Sequence, residues 1–263
     1  MPPLSRPLVQ PLPASVTHFY RYKSASNLET HLKPVILNHR IWVPMAGQLN
    51  DRMEAKPLFA EQTAESIADY LMQSFVERTP NATHAMLEKA GREIGWLCKT
   101  ESSDSLLRSM MDSFHSATEQ TRIFSMAHRW NHMAMWAKYA GDHQGYCLEF
   151  DRRVHLFRAA RAVIYDDSMR VDILDETHHT PEWFYCKSPD WSNEEEIRLV
   201  LPRLMGGPEF DITSQGLTRI ILGDQMSADD ETLIRCWADT RDPKLAVVKT
   251  MWLRHEHRLV MLP

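Results

Sequence analysis

Residues 122–151 read RIFSMAHRWNHMAMWAKYAGDHQGYCLEFD, and they constrain the fold more than any other stretch. "RIFS" has the apolar, β-branched character of a short strand. "NHMAMWAKYAG" carries a helical pattern that stops at a glycine, Gly141, suited to a left-handed C-terminal turn. "GYCLEFD" is again strand-like. A strand, a short helix and a strand in such close succession require a sheet with a helix packed on one face. The helix is built from aromatics where aliphatic residues are usual. Trp136, Tyr139 and Ala140 fall along one of its faces. Trp136 and Tyr139 are therefore expected to be largely buried, supporting whatever lies above the sheet.

The remaining chain extends this pattern. "HFYRYKS" alternates like a strand. Ser26 is placed to cap one short helix, "SNLETHLKPVI", with Glu29 completing a capping box. "HRIWVPM", "RAVIYDD", "EIRLVLPR" and "TRIILGD" read as strands, and the tail "LAVVKTMWLRHEHRLVMLP" as one or two more. Ser227 is placed to cap "ADDETLIRCWAD", whose early acids complement the helix dipole. From Gln62 to about His115 the pattern turns helical. Ile67, Leu71 and Phe75 form one apolar stripe, and Pro80-Asn81 breaks it. The methionines here (Met72, Met86, Met110 and Met111) are expected to fill its core. The proline-rich start, residues 1–16, reads as an extended arm. Residues 17–263 then form a single α+β domain with a helical insertion at about 62–115.

Composition narrows the functional classes. The chain has 263 residues and a formal net charge of −5, which disfavours a broad electrostatic grip on nucleic acid. No apolar run has the length of a membrane span. Four cysteines lie far apart without a CxxC pair, as expected of reduced thiols in the cytoplasm.

Four clusters carry possible chemistry. In "FYRYK", Arg21 faces away from Tyr20 and Tyr22 if the segment is a strand, and a guanidinium there suits a phosphate or carboxylate. A plain edge-strand arginine is the alternative. In "QLNDRME", Asn50, Asp51 and Glu54 suit either a turn or part of a hard-cation site. In the opening stretch, His128 and His132 have zinc-ligand spacing only if both lie on a helix, and no third ligand accompanies them. Ser125 ends its strand with a small hydroxyl open to the sheet's surface. In "WSNEEEIRLV", Glu194 and Glu196 point to one side of an extended strand, where one carboxylate can raise the pKa of the other or hold a ligand hydroxyl. The histidines of "THH" and "RHEH" suggest no role.

Together these residues resemble a bacterial family known as domain of unknown function 2971. The resemblance rests on Tyr20-Arg21-Tyr22; Asn50-Asp51 with Glu54; Phe124-Ser125, Met135-Trp136, Tyr139-Ala140, His143 and Gly145; Trp191, Glu194, Glu196 and Arg198; and Leu222-Gly223. "NDRME" departs from that family's usual proline and phenylalanine in this turn. The series is more distantly similar to the ADP-ribosyltransferase fold, with mixed or antiparallel sheets around an NAD cleft. That resemblance implies NAD as substrate, bound by Arg21, Tyr22, Ser125 and Tyr139. It implies a chemical role for Glu196, Glu194 and Ser125: Glu196 steadies an oxocarbenium-like charge as nicotinamide leaves, Glu194 orients or deprotonates an acceptor, and no metal takes part. The expected activity is ADP-ribosyl transfer or NAD glycohydrolysis, in a toxin-like or phage-defence setting. The acceptor, protein or nucleic acid, stays open, as does the oligomeric state. Two alternatives stand beside it. One is a non-catalytic nucleotide- or protein-binding module of the same fold. The other is a metal-dependent hydrolase using Asp51, Glu54, Glu194, Glu196 and His143.

Overall fold

The computed structural model describes residues 9, 11–49, 58–100, 103–167, 170–174, 182–201 and 206–262. In chain order its regular elements begin with β1 (His18–Lys23), α1 (Leu28–His31), α2 (Lys33–Leu37) and β2 (Arg40–Trp42). Next come β3 (Leu58–Phe59), α3 (Ala64–Arg78), α4 (His84–Thr100) and α5 (Ser103–Glu119). Residues 122–151 supply β4 (Arg122–Ala127), α6 (Met133–Tyr139) and β5 (Tyr146–Asp151). Short strands β6 (Arg161–Ala162), β7 (Ile164–Tyr165), β8 (Arg170–Val171) and β9 (Cys186–Lys187) precede β10 (Glu196–Leu201). The chain ends with β11 (Glu209–Asp211), β12 (Leu217–Leu222), α7 (Ala228–Thr240), β13 (Ala246–Leu253) and β14 (Arg258–Leu262). This is a mixed α+β architecture.

The chain divides into two compact units, residues 1–54, 121–167 and 184–263 in one, and residues 55–120 and 168–183 in the other. The first unit is built on an eight-stranded sheet in the order β14-β13-β12-β5-β1-β4-β10-β6. The strands read from alternation at residues 18–23, 122–125, 145–150 and 195–201 are four consecutive members of it. Its pairs are antiparallel except β12 with β13, where α7 supplies the crossover that a parallel pair needs. Ser227 caps α7 as expected, its hydroxyl accepting from the Asp230 amide. One face of the sheet holds the larger core, in which Phe19, Phe124, Phe150 and Phe157 meet. The other face holds Tyr22, Ala127, Cys147 and Ile221 beneath Trp136 of α6.

Two local expectations change. The single helix read from "SNLETHLKPVI" is two short ones. Pro34 lacks the N–H that a continuous helix would need there, and the break falls at Leu32. Asn27, not Ser26, is the N-cap; it is left-handed at φ 61° and makes no side-chain cap bond. Ser26 bonds to Ser24 instead. The described part of the proline-rich start packs on the rest of this unit. Leu12 and Val16 are buried, and the Arg152 guanidinium donates to the carbonyls of Leu12, Pro13 and Val16.

In the second unit Thr63 opens α3 with a capping box to Ser66, and Ile67 is fully buried. An aromatic cluster of Phe59, Phe114 and Trp183 lies in this unit. The methionines do not fill its core. Met72, Met110 and Met111 are half-buried, and Met86 is 43% exposed. Three helices around so small a core bury only a narrow stripe each, and these side chains fall at its edges.

The exit from α6 explains two glycines. Gly141, Asp142 and His143 are successive left-handed residues. A Cβ on Gly145 would lie 2.1 Å from the Lys23 carbonyl oxygen, and one on Gly223 would lie 1.9 Å from that of His143. Only glycine allows these backbones to cross. The Gly223 amide then donates to the Gly145 carbonyl at 2.9 Å.

Candidate functional site

The sheet has a seam. β1 pairs with β5 along all six of its residues, and β4 pairs with β10 along six. Between β1 and β4 there is one registered pair, Tyr20 with Ala127. Residues of both strands line a cavity of about 640 Å³. Where a ladder would continue, the Arg21 guanidinium takes the place of a backbone amide and donates to the Ser125 carbonyl oxygen at 2.5 Å. Its carbon also sits 4.1 Å from the Phe124 ring centroid, a cation–π contact.

Beside the seam lies a chain of buried charges. Arg198 donates to Glu196 through Nε at 2.7 Å and Nη2 at 3.0 Å. Lys187 Nζ bridges the two carboxylates, at 3.0 Å from Glu196 and 2.8 Å from Glu194. Glu194 also accepts from Lys138 at 2.6 Å and from the Tyr139 hydroxyl at 2.7 Å. The Trp191 ring lies against Lys138 Nζ at 3.6 Å and Lys187 Nζ at 5.0 Å. Ser125 sits beside Glu196 and favours its ionised form.

These surroundings separate the two acids. Burial raises the Glu196 pKa, against the pull of Lys187 and Ser125. For Glu194 burial pushes upward too, but the bonds from Lys138, Lys187 and Tyr139 outweigh it and the pKa falls. Burial alone would lower Lys187, yet Glu196 and Glu194 raise it. The two cations of β1 behave differently. Burial lowers Arg21 to about 10. The neighbouring Arg21 charge, then burial, lowers Lys23 to about 8. Both keep accessible surface and line the cavity. Among the described residues neither forms an ion pair with a carboxylate. Two carboxylates, Glu194 and Glu196, thus stand among five cations, Arg21, Lys23, Lys138, Lys187 and Arg198. The balance favours an anionic ligand.

The structure brings Arg21, Tyr22, Ser125, Tyr139, Glu194 and Glu196 to this one cavity. The two carboxylates do not meet through strand alternation, however. Glu194 ends the 3-10 turn Pro189–Glu194, and only Glu196 is on the strand. Glu195, left-handed at φ 46°, reverses the chain between them and points out to Arg129 at 2.7 Å and His128 at 3.7 Å. Tyr22 is a strut: its hydroxyl donates to the Arg129 carbonyl and accepts from the His132 amide, so it is already engaged. Tyr139 is half-buried where burial was expected, with its hydroxyl on Glu194.

The metal-site expectations do not assemble. His128 and His132 both precede α6, and the His132 ring contacts the Asn193 carbonyl at 2.5 Å. His143 does not line the cavity; it stacks on Trp136 and lies 3.5 Å from Asp224. Asn50, Asp51 and Glu54 lie outside the described residues. Among the described residues no three His, Cys, Asp or Glu side chains are arranged to hold a metal ion. None of the described helices is long and apolar enough to cross a membrane.

Sequence reasoning missed Lys187, Lys138, Lys23 and Trp42, all of which line the cavity or its charge chain. A single lysine has no periodic signature. The presence of cations follows only once Glu194 and Glu196 are seen to be buried, because unpaired buried carboxylates are costly.

Comparison with known families bears on this cluster. Residues 135–199 match the family described as "Protein of unknown function (DUF2971)". The match supports the resemblance read from the sequence, and it spans the residues that form the charge chain, from Lys138 to Arg198. No curated protein and no solved structure matches the chain.

Proposed function

We propose that the cavity binds a nucleotide through its phosphates, and that NAD, the ligand implied by the sequence resemblance, is the first to test. The observation that carries this reading is the pair Arg21 and Lys23, two cations that line one cavity and form no ion pair with a carboxylate among the described residues, Glu196 acting on Arg21 only from a distance. Enclosed charges so incompletely compensated are unfavourable, and a phosphate lowers the cost through charge-assisted hydrogen bonds. A volume of about 640 Å³ falls within the range of small-molecule sites.

ADP-ribosyl transfer or NAD glycohydrolysis is the second reading, favoured by Ser125 and Glu196 lying side by side in the same cavity. The bond between ribose C1′ and nicotinamide breaks, and its electron pair leaves with nicotinamide. Water or an acceptor then adds at C1′ and gives up its proton. Glu196 suits the charge-steadying role. Glu194 is the residue expected to orient or deprotonate an acceptor; the bonds from Lys138, Lys187 and Tyr139 lower its pKa and make it a weak base, which favours the orienting part of that role.

The test is calorimetry with NAD and ADP-ribose, followed by assay of nicotinamide release. Both ligands are expected to bind, with the dissociation constant raised in Arg21→Ala. If the site turns over, Glu196→Gln is expected to slow release by at least roughly a hundredfold. Failure of either ligand to bind, or equal binding by Arg21→Ala, overturns the binding reading. Binding without nicotinamide release overturns only the second.

Lys23 adds a pH signature. Its pKa is about 8 in the folded chain, whereas an unfolded lysine stays protonated to about 10.4. Between these values the unfolded chain holds more protons, so stability of the free protein is expected to rise with pH. Anion affinity is expected to fall over the same window, because the ligand needs the charged amine. Denaturant midpoints and ligand titrations from neutral pH upward check both signs. Lys23→Met should flatten both trends, and trends unchanged in that variant would remove Lys23 as their source.

A further inference from the structure

The cavity has two kinds of wall. One wall presents Arg21 and Lys23 from β1, Glu196 from β10, Lys187 from β9 and Glu194 from the turn before β10. The segment formed by α2, β2 and the turn after it contributes Val35, Ile41, Trp42, Pro44 and Leu49, with Gln48 as a polar group. Val35 and Ile41 are buried and fix this wall in place. Trp42 is not: it is 56% exposed while also lining the cavity. A single exposed tryptophan on an open surface needs no explanation. This one stands in a cation-lined cavity, held on a strand whose other side chains are engaged. Its neighbour Ile41 is in the core, and Arg40 pairs with Asp211 and Glu209.

Resting on the phosphate-binding reading above, we infer that Trp42 is the seat of the ligand's base, so that the ligand is a nucleoside diphosphate or a dinucleotide and not a sugar phosphate or an inorganic anion. An indole face and a nucleobase are both flat, apolar and polarisable, and they stack with little dependence on base identity. The diphosphate lies against Arg21 and Lys23. The wall has few hydrogen-bonding groups, Gln48 being the main one, which makes stacking the principal contact to the base. Selection then acts on the presence of a base more than on which base it is.

The test compares two probes, ADP and inorganic pyrophosphate, by calorimetry on wild type, Trp42→Ala, Trp42→Phe and Arg21→Gln. Wild type is expected to bind both. Trp42→Ala should weaken ADP about tenfold and leave pyrophosphate unchanged, while Trp42→Phe restores most of the ADP affinity. Arg21→Gln should weaken both. Because Trp42 is exposed, its variants are expected to keep the wild-type melting temperature, which the same samples verify. If ADP binding is unaffected by Trp42→Ala, or both probes weaken equally, Trp42 seats no base while the phosphate site stands. If neither probe binds wild type, the phosphate reading fails and this inference goes with it.

Discussion

Lys187→Met is expected to cost about 3–5 kcal/mol of stability, the range for removing one partner of a buried ion pair. Lys187 is almost wholly inaccessible and holds Glu194 and Glu196 together. Methionine fills similar volume, so the loss isolates charge from packing. Glu196 keeps Arg198, and Glu194 keeps Lys138 and Tyr139, so neither carboxylate is left bare and the loss is expected near the lower end of that range. What disappears is the one charge between them, and like charges then face each other in a poorly solvated place. Urea unfolding gives the value directly. Adding Glu194→Gln to Lys187→Met should recover part of the loss, since the repulsion goes with the second charge. A loss below about 1 kcal/mol in the single variant, the range of surface ion pairs, would show that water reaches the network.

Trp136→Ala is expected to cost about 3–5 kcal/mol, as large aromatic truncations in cores do. The indole is fully buried, edge-on to Tyr22 at 5.2 Å and stacked on His143 at 5.6 Å. Its N–H donates to the Trp130 carbonyl at 2.8 Å. Trp136→Phe should cost less, because it keeps a ring while leaving that carbonyl without its donor. The helix that Trp136 anchors also carries Lys138 and Tyr139, so the alanine variant should weaken ligand binding as well as stability. An unchanged melting temperature for Trp136→Ala would contradict the packing argument.

The strands around the site were legible because each has a buried face and a local period. β1, β4, β5 and β10 all showed alternation or a compact apolar run, and α7 announced itself through Ser227 and three early acids. The candidate site was legible only in part. Arg21, Ser125 and Glu196 lie on those strands, so their placement followed from strand geometry. Glu194 reached the same place by another route, a 3-10 turn and a left-handed Glu195 that no alternation rule describes. Lys187 was illegible because its pairing spans a loop and depends on charge, which has no spacing rule. His143, a ligand in the metal-hydrolase alternative, stacks on Trp136 instead. Gly145 and Gly223, quoted only for the family resemblance, are accounted for by the close crossing of backbones. Pro34 was visible throughout, but the capping signal of Ser26 and Glu29 favoured one helix across it.

A paired ladder is indifferent to side-chain identity, since every residue except proline supplies the same amide. Where β1 leaves β4 after a single pair, a guanidinium stands in for that amide. This makes the join between the two parts of the sheet heritable in a way a ladder is not. One codon at position 21 can alter the grip across the opening while the six-residue pairings on either side stay untouched. Descendants of such a chain can therefore change what they accommodate without rebuilding the core that folds them.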